Sequence, residues 1–404
     1  MFQETLTIAR HENGYGGIGG IGITPSGKKI AVGDFNELSP MIDRGTRIID
    51  NPPTEDALSA PWKAYIDPTL VCGLKCGFCL SSVDKVRAGR AKIPFLKIDQ
   101  MMKINDQLIE AGVLAVKFGG GEPFIYGPFW ESVGVLAIAG IAVSVSTSGV
   151  TLARETLLPD SKIETLKKHR VKISISVDGE PNFHNAIRGR PGLLEEVLGT
   201  GMSRLIKGGI NPKKIEFRST ISKEPQSIRQ LEFLDQLSLR YQTKTRVRIA
   251  RPYGSAGGDG VGINKPTSDI VSLLLELRLR AKSNPLLNID GFLGFDGKTK
   301  ASTGMDCRAG TRSVGINARG EAVPCGAITD TFPESHSLLA GKTLLEVWQN
   351  GSAFKKVREW FKKENATSPC RDCGYVNACQ GGCPSVRLSV GKEKNPLCPR
   401  ELNL

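Results

Sequence analysis

Six stretches of the chain alternate β-branched apolar residues with polar ones and break at Gly, Pro, Ser or Asp. They are KAYIDPT (63–69), LAVKFGGGEP (114–123), IAVSVSTSG (141–149), VKISISVDG (171–179), IEFRSTIS (215–222) and TRVRIARPYG (245–254). This pattern predicts strands. Helix-length segments lie between and after them, at about 96–111, 127–139, 152–169, 192–207, 225–241 and 267–281. SLLLELRLRAK (272–282) carries the helical apolar spacing most clearly. Six strands, each followed by a helix, predict an α/β fold with a parallel sheet rolled into a partial (β/α)6 TIM-like barrel.

The alternation carries a second message. A strand buried on both faces reads as a continuous apolar run. In the fourth strand, however, Val171, Ile173, Ile175 and Val177 face one way while Lys172, Ser174, Ser176 and Asp178 face the other. Glu216, Arg218 and Thr220 oppose Ile215, Phe217 and Ile221 in the fifth, and Arg246 and Arg248 oppose Val247 and Ile249 in the sixth. The apolar face must pack on the helices, so the polar face points into the barrel and lines a wet cavity for a polar ligand. An open sheet with one solvated face is the alternative. Glu216, Arg218, Arg246 and Arg248 form the candidate substrate pocket. The arginines suit a carboxylate or phosphate of a substrate; alternatively they form a charge network with Glu216 and Asp178, or contact the carboxylate of a cosubstrate.

Three parts of the chain are expected: a glycine-rich extension over 1–61, the barrel over 62–285 and a cysteine-rich region over 286–404. NGYGGIGGIGITPSGKK (13–29) contains GxGxxG-like spacing, but no strand precedes it and no helix clearly follows. A hairpin is expected there rather than a nucleotide loop.

The 404 residues carry a net charge of +13, with 6% aromatic residues. The charge is dispersed, apart from small clusters such as Lys167-Lys168-His169-Arg170. It describes either a generally solvated basic surface or an acidic partner, such as an acidic peptide or a phosphorylated small molecule. Nucleic acid is disfavoured, since no recognition-helix signature or basic tail is present. The N-terminus shows no export-signal pattern, and the longest apolar run, Val133 to Val145, is too short for a membrane span. A cytoplasmic location with no membrane partner is expected.

All ten cysteines fall outside residues 80–306. Cys72, Cys76 and Cys79 occupy DPTLVCGLKCGFCLSS (67–82), directly after the first strand and at the rim where barrel enzymes place their chemistry. Close clustering in a chain without an export signal indicates metal rather than disulfides. Three thiolates hold three irons of a [4Fe–4S] cube and leave one vertex open, whereas a structural zinc wants four protein ligands.

The spacing C-x3-C-x-aromatic-C, with Phe78 before the last cysteine, resembles that of the radical SAM superfamily. The resemblance implies an enzyme in which the open iron is chelated by S-adenosylmethionine. That molecule is cleaved reductively to a 5′-deoxyadenosyl radical, which abstracts a substrate hydrogen. It implies further that Gly120, Gly121 and Glu122 of GGEP hold the cosubstrate's amino group, a carboxylate pairing with an ammonium, and that Ser176 and Asp178 lie where the family binds its ribose. Phe78 would lie beside the adenine. Arg188 in HNAIRG and Thr147-Ser148-Gly149 resemble segments of close relatives. His184 lies in the same HNAIRG stretch, read here as a solvated loop. An external flavodoxin- or ferredoxin-like electron donor is also implied.

The C-terminal seven cysteines resemble the SPASM extension of this superfamily: Cys307, then Gly320 and Cys325, then Cys370-x2-Cys373-x5-Cys379-x3-Cys383 and Cys398. Zinc ribbons are the alternative. By the family's pattern Cys307, Cys325 and Cys383 would hold a first auxiliary [4Fe–4S] cluster, and Cys370, Cys373, Cys379 and Cys398 a second. With the SAM-binding cluster that makes three, and every cysteine is used. The first auxiliary cluster is left with an open iron or a non-cysteine ligand. No thiol remains to quench a substrate radical, so oxidative outcomes fit better than epimerisation. The implied function is oxidative modification or crosslinking of a ribosomally made peptide. The alternatives are a small-molecule enzyme that dehydrogenates, decarboxylates or rearranges a sugar, aminocyclitol or nucleoside, and a non-catalytic iron–sulfur electron carrier. The first 61 residues show no winged-helix pattern of the kind many peptide-modifying relatives carry.

Overall fold

A computed structural model describes residues 7–12, 18–23, 29–32, 60–80, 94–222, 228–250, 267–289, 309–327, 336–361, 370–373 and 381–389, together with Cys307 and Cys398. All six expected barrel strands are present: β4 (Lys63–Ile66), β5 (Ala115–Phe118), β6 (Ala142–Thr147), β7 (Lys172–Ser176), β8 (Ile215–Ile221) and β9 (Lys244–Ile249). They lie side by side in chain order and pair in parallel throughout. Among the described residues the first and last strands of this sheet do not pair with each other, so the barrel is partial.

The helices between the strands cover one face. They are α1 (Ile98–Glu110), α2 (Pro128–Ile138), α3 (Asp160–Lys168), α4 (Pro181–Arg188), α5 (Leu193–Glu196), α6 (Met202–Lys207), α7 (Ile228–Tyr241) and α8 (Ser268–Ser283), with a π-helical stretch (Val197–Gly201) joining α5 to α6. The outward strand residues Val116, Phe118, Val143, Val145, Ile173, Ile175, Phe217 and Val247 are buried in one core with Met101, Ile104 and Leu108 of α1, Phe129 and Val133 of α2 and Leu231 of α7. Phe118 meets Phe129 edge-to-face with ring centroids 5.1 Å apart. The apolar half of the alternation thus builds the layer between sheet and helices.

The polar half lines a concave face. Lys117 on β5 donates to Ser174 Oγ on β7 at 3.3 Å, reaching across the intervening strand. The charges of Arg218 on β8 and Arg248 on β9 also bear on Lys117. Strands four apart in a flat sheet would be separated by about 19 Å, so this convergence reflects curvature.

The sheet runs across the expected boundary at residue 285. Strand β10 (Leu287–Ile289) pairs in parallel with β9 at one edge, and β11 (Ser313–Ile316) pairs in parallel with β4 at the other. β11 turns back into β12 (Ala322–Val323) as an antiparallel pair. The cysteine-rich region is therefore hydrogen-bonded to the strand that precedes the first cysteine loop. It continues as α9 (Leu344–Asn350), α10 (Ser352–Phe361) and α11 (Pro384–Ser389). Arg358 fastens it from within: its Nε donates to Gly310 O and an Nη to Trp348 O, each at 2.7 Å.

The expected N-terminal hairpin is a three-stranded antiparallel meander: β1 (Thr7–Glu12), β2 (Ile18–Ile23) and β3 (Lys29–Val32).

Candidate active site

The loop after β4 is joined to the loop after β5 by continued backbone pairing. Gly121 N donates to Thr69 O at 2.7 Å, and Glu122 N donates to Val71 O at 2.8 Å. Only glycine permits so close an approach. A Cβ on Gly121 would collide with the Val71 carbonyl, and one on Gly120, whose φ is +88°, would come within 2.5 Å of the Thr69 carbonyl oxygen. The GGEP turn thereby fixes the chain up to the residue before Cys72.

Cys72, Cys76 and Cys79 are all half-buried on this loop. Leu74 N donates to Cys72 Sγ at 3.5 Å, and Cys79 N to Cys76 O at 3.2 Å. Burial pushes the Cys72 thiol up to about 11. Burial raises Cys76 as well, opposed by the Arg188 guanidinium, which donates to its Sγ at 3.8 Å. Among the described residues no three His, Cys, Asp or Glu side chains converge on a single-ion site. A cube of irons holds its thiolates farther apart than one ion does.

Arg188 is placed by α4, which the sequence reading took for a loop. Pro181 stands in its first turn and Gly189, at φ +68°, ends it, so the helix has sound start and stop signals. The helix aims Arg188 back at the end of β7. Its Nε donates to Asp178 Oδ2 at 2.7 Å and an Nη to Asp178 Oδ1 at 3.2 Å, while its guanidinium lies 4.8 Å from the centroid of the Phe78 ring. Phe78 is buried. Thr220 N also donates to Asp178 Oδ1. Burial alone would raise the Asp178 carboxyl, but Arg188 and His184 outweigh it and hold the group far below the usual carboxylate range.

His184 corrects the expectation of a solvated histidine. It is fully buried, and its Nδ1 lies 3.2 Å from both Asp178 N and Asp178 Oδ2. Its position on α4, one helical turn before Arg188, brings both side chains to the same aspartate.

Glu122, expected to pair with an ammonium, stands at the end of β5. The carboxylate is fully buried and committed within the chain. Oε1 accepts from Thr147 Oγ1 at 2.7 Å, and Oε2 accepts from Ser148 N at 3.0 Å and Ser148 Oγ at 2.6 Å. Burial raises its proton affinity and these hydrogen bonds oppose the rise. The side chain clamps the end of β5 to the end of β6. The same contacts place Thr147 and Ser148, singled out in the sequence.

Below the rim lies a second charged group. Glu216 is 1% exposed. Its Oε2 accepts from Lys172 Nζ at 2.8 Å, its Oε1 accepts from Arg218 Nε at 2.7 Å, and Arg246 Nε lies 3.6 Å from Oε1. Burial would raise this carboxyl, but Arg218, Arg246 and Lys172 together hold it far below the usual range. Arg248 Nε donates to Thr220 Oγ1 at 3.1 Å. Arg218 and Arg246 thus form a network with Glu216, Arg248 turns to Thr220, and Asp178 belongs to Arg188. Ser176 stands in register with Arg218, between this layer and the rim.

Sequence reasoning did not single out Lys117 or Asp67, although both continue the polar alternation of their strands. Asp67 follows β4, and its carboxylate lies against Gly119 and Gly326. Burial pushes it up to about 6.

In the C-terminal region, Cys307 and Cys325 pack against one small apolar cluster of Ala309, Val357 and Trp360. Cys370 and Cys373 share a turn, with Cys373 N donating to Cys370 O at 3.1 Å. Cys383 is buried at the start of α11, its Sγ 3.0 Å from Ser385 Oγ. Cys398 is half-buried, and Cys379 lies outside the described residues. No helix among the described residues is long and apolar enough to cross a membrane.

Comparison with known proteins places these features. The family model for the radical SAM superfamily matches residues 66–215, and that for an iron–sulfur cluster-binding domain, SPASM, matches residues 307–374. The chain is 29% identical over 342 residues to the mycofactocin maturase MftC of Mycolicibacterium smegmatis, covering 83% of this chain and 81% of the relative. It is 25% identical over 347 residues to the PqqA peptide cyclase of Bradyrhizobium diazoefficiens, covering 82% and 83% respectively. Among solved structures, Streptococcus suis SuiB bound to S-adenosylmethionine superposes with a TM-score of 0.69 at 19% identity, covering 98% of this chain and 99% of that one. SuiB bound to its precursor peptide SuiA gives a TM-score of 0.67 at 18% identity, covering 97% and 98%.

Proposed function

We propose, from the premise that this chain is a radical SAM enzyme with a SPASM iron–sulfur domain, that it oxidises an unactivated C–H position of a ribosomally made peptide, forming a crosslink or an unsaturation. The observation that carries the reading is the rim itself. There a three-cysteine loop is hydrogen-bonded to a glycine turn and faces a buried Asp178–Arg188 pair. Relatives named as a peptide maturase and a peptide cyclase, each matched over about four-fifths of the chain, support a peptide as substrate.

The donor chemistry fits the implied cofactors. Three half-buried thiols on one turn, one of them beside a fixed guanidinium, suit a [4Fe–4S] cube with one open vertex. The glycine turn has no room for a Cβ on its inner side, which keeps it packed tightly against the cysteine loop. In this reading Cys72, Cys76 and Cys79 hold the SAM-binding cluster, and Phe78, Gly120, Gly121, Ser176, Asp178 and Arg188 border the cosubstrate. Cys307, Cys325 and Cys383 hold one auxiliary cluster and Cys370, Cys373, Cys379 and Cys398 the other.

When bound, the cluster and S-adenosylmethionine supply a 5′-deoxyadenosyl radical able to take a hydrogen atom from carbon. The chain's own residues position and protect. Glu122 locks two strand ends so that the rim does not shift. Asp178 keeps Arg188 ionised and fixed against Cys76, and Phe78 shields that side from water. The lumen below gives the peptide a polar, partly dry chamber. An external flavodoxin- or ferredoxin-like donor would supply electrons.

Anaerobic reconstitution tests this reading. Full loading should bring about twelve irons per chain. Addition of S-adenosylmethionine and dithionite should yield 5′-deoxyadenosine. A short peptide encoded beside the gene should lose two hydrogens in mass; an unchanged mass with abundant 5′-deoxyadenosine would overturn the oxidative assignment.

A further inference from the structure

Among the described residues, the lumen network carries more positive charge than Glu216 accounts for. One carboxylate is balanced by one cation. Glu216 nevertheless has Lys172 and Arg218 in direct contact and Arg246 at 3.6 Å. A further cation, Lys117, projects into the same space from β5. Its only hydrogen bond among the described residues is to Ser174 Oγ. Burial pushes its proton affinity well below the usual lysine range; Arg218, Lys63 and Arg248 add to the fall, and Glu216 opposes it. The rim carboxylates give no relief. Asp178 is bound to Arg188, Glu122 is enclosed by Thr147 and Ser148, and Asp67, at the end of the neighbouring strand, lies at the rim against Gly119 and Gly326.

Concentrated like charge in a low-dielectric cleft costs stability and attracts an anion. The layer is also reachable: the Arg218 side chain is 23% exposed and that of Lys172 is 42% exposed. Lys117 lies two residues before Gly119 on its strand, which sets it about 7 Å below the rim. The layer is therefore spatially separate from the cysteine loop and the GGEP turn. The occupant already present, Glu216, shows that the cations are spaced to grip a carboxylate.

Resting on the radical SAM reading of the rim, we propose that Lys117, Lys172 and Arg218 form a carboxylate subsite in the barrel lumen. It would draw in an acidic group of the substrate, either a C-terminal carboxylate or an Asp or Glu side chain. Arrival of that anion raises the proton affinity of Lys117, so binding takes up protons. Lys63, Arg218, Arg248 and Glu216 are the charged groups that bear on this lysine.

Isothermal calorimetry on the reconstituted, oxygen-free holoenzyme tests the proposal, with N-acetyl-glycyl-glycine, its C-terminal amide, and N-acetyl-aspartyl-amide as probes. At least one acid should bind saturably and the amide should not; which acid binds distinguishes the two carboxylate sources. The apparent enthalpy should differ between Tris and HEPES by an amount that reports proton uptake. Lys117→Met and Arg218→Met should each weaken binding about tenfold, the loss of one charge-assisted contact. Glu216→Gln should tighten it, because the resident competitor is removed; that opposite sign guards against mere misfolding. The proposal falls if neither acid binds, if these variants leave binding unchanged, or if saturating S-adenosylmethionine abolishes it, since the cations would then serve the cosubstrate. Formation of 5′-deoxyadenosine in the same preparation reads the rim separately. Acid binding without that product would overturn the radical reading and leave the subsite standing.

Discussion

Two buried carboxylates in this barrel, Asp178 at the rim and Glu216 below it, stand in opposite electrostatic situations. Asp178 has one guanidinium gripping it through two hydrogen bonds, a buried histidine, and a backbone N–H. Its surroundings are dry and its charge is matched. Glu216 is as deeply buried, yet its partners are partly exposed and outnumber it. A matched pair gives a fixed shape. An unmatched group spends stability on attraction for something that arrives later. The first arrangement holds a site rigid beside the cysteines, and the second suits reception of a ligand.

Asp178→Asn is expected to give the largest effect. It strands the Arg188 charge in a dry place and should cost about 3–5 kcal/mol. Denaturant unfolding of the reconstituted protein measures this, and pairing it with Arg188→Met should restore part of the loss. If Glu216→Gln costs as much, the contrast between the two layers is wrong. Gly121→Ala comes next, at about 3 kcal/mol for forcing a methyl onto the Val71 carbonyl. It should also lower iron content at the first cysteine loop, seen as reduced absorbance near the thiolate-to-iron charge-transfer bands.

Glu216→Gln should cost only about 1–2 kcal/mol, since its cations can turn toward water. Lys117→Met is the smallest and has the opposite sign. The folded protein binds this lysine's proton less tightly than the unfolded chain does. Wild-type stability is therefore fullest above the unfolded lysine value of 10.5 and falls as pH drops toward the lower folded one. Between pH 7.5 and 10 the denaturation midpoint should rise in the wild type, and that slope should flatten in the variant, which should be the more stable of the two at pH 7.5. A wild-type midpoint independent of pH over that range would mean that Lys117 is not crowded by its neighbours.

Much of this was legible in the residues. Alternation with period two is a local property, so all six barrel strands and the inward direction of Ser174, Ser176, Arg218 and Arg248 could be read from the chain. Cysteine spacing is local too. The α4 segment was also readable, since Pro181 and Gly189 mark its ends, but its eight residues between two functional motifs looked like loop.

Which polar group meets which is another matter. Glu122 could have faced an ammonium or clamped Thr147 and Ser148, and the arginines could have paired with Asp178 or Glu216. Nothing in the sequence separates these outcomes, because each joins side chains far apart along the chain whose meeting depends on sheet curvature and strand register. For the same reason only the tertiary structure revealed that β11 pairs with β4, carrying Gly326, next to Cys325, to the base of the first cysteine loop. The sequence determined the elements and the chemistry they carry, since both are written over a few neighbouring residues. The fold decided the partners, because hydrogen bonds and charges act through space.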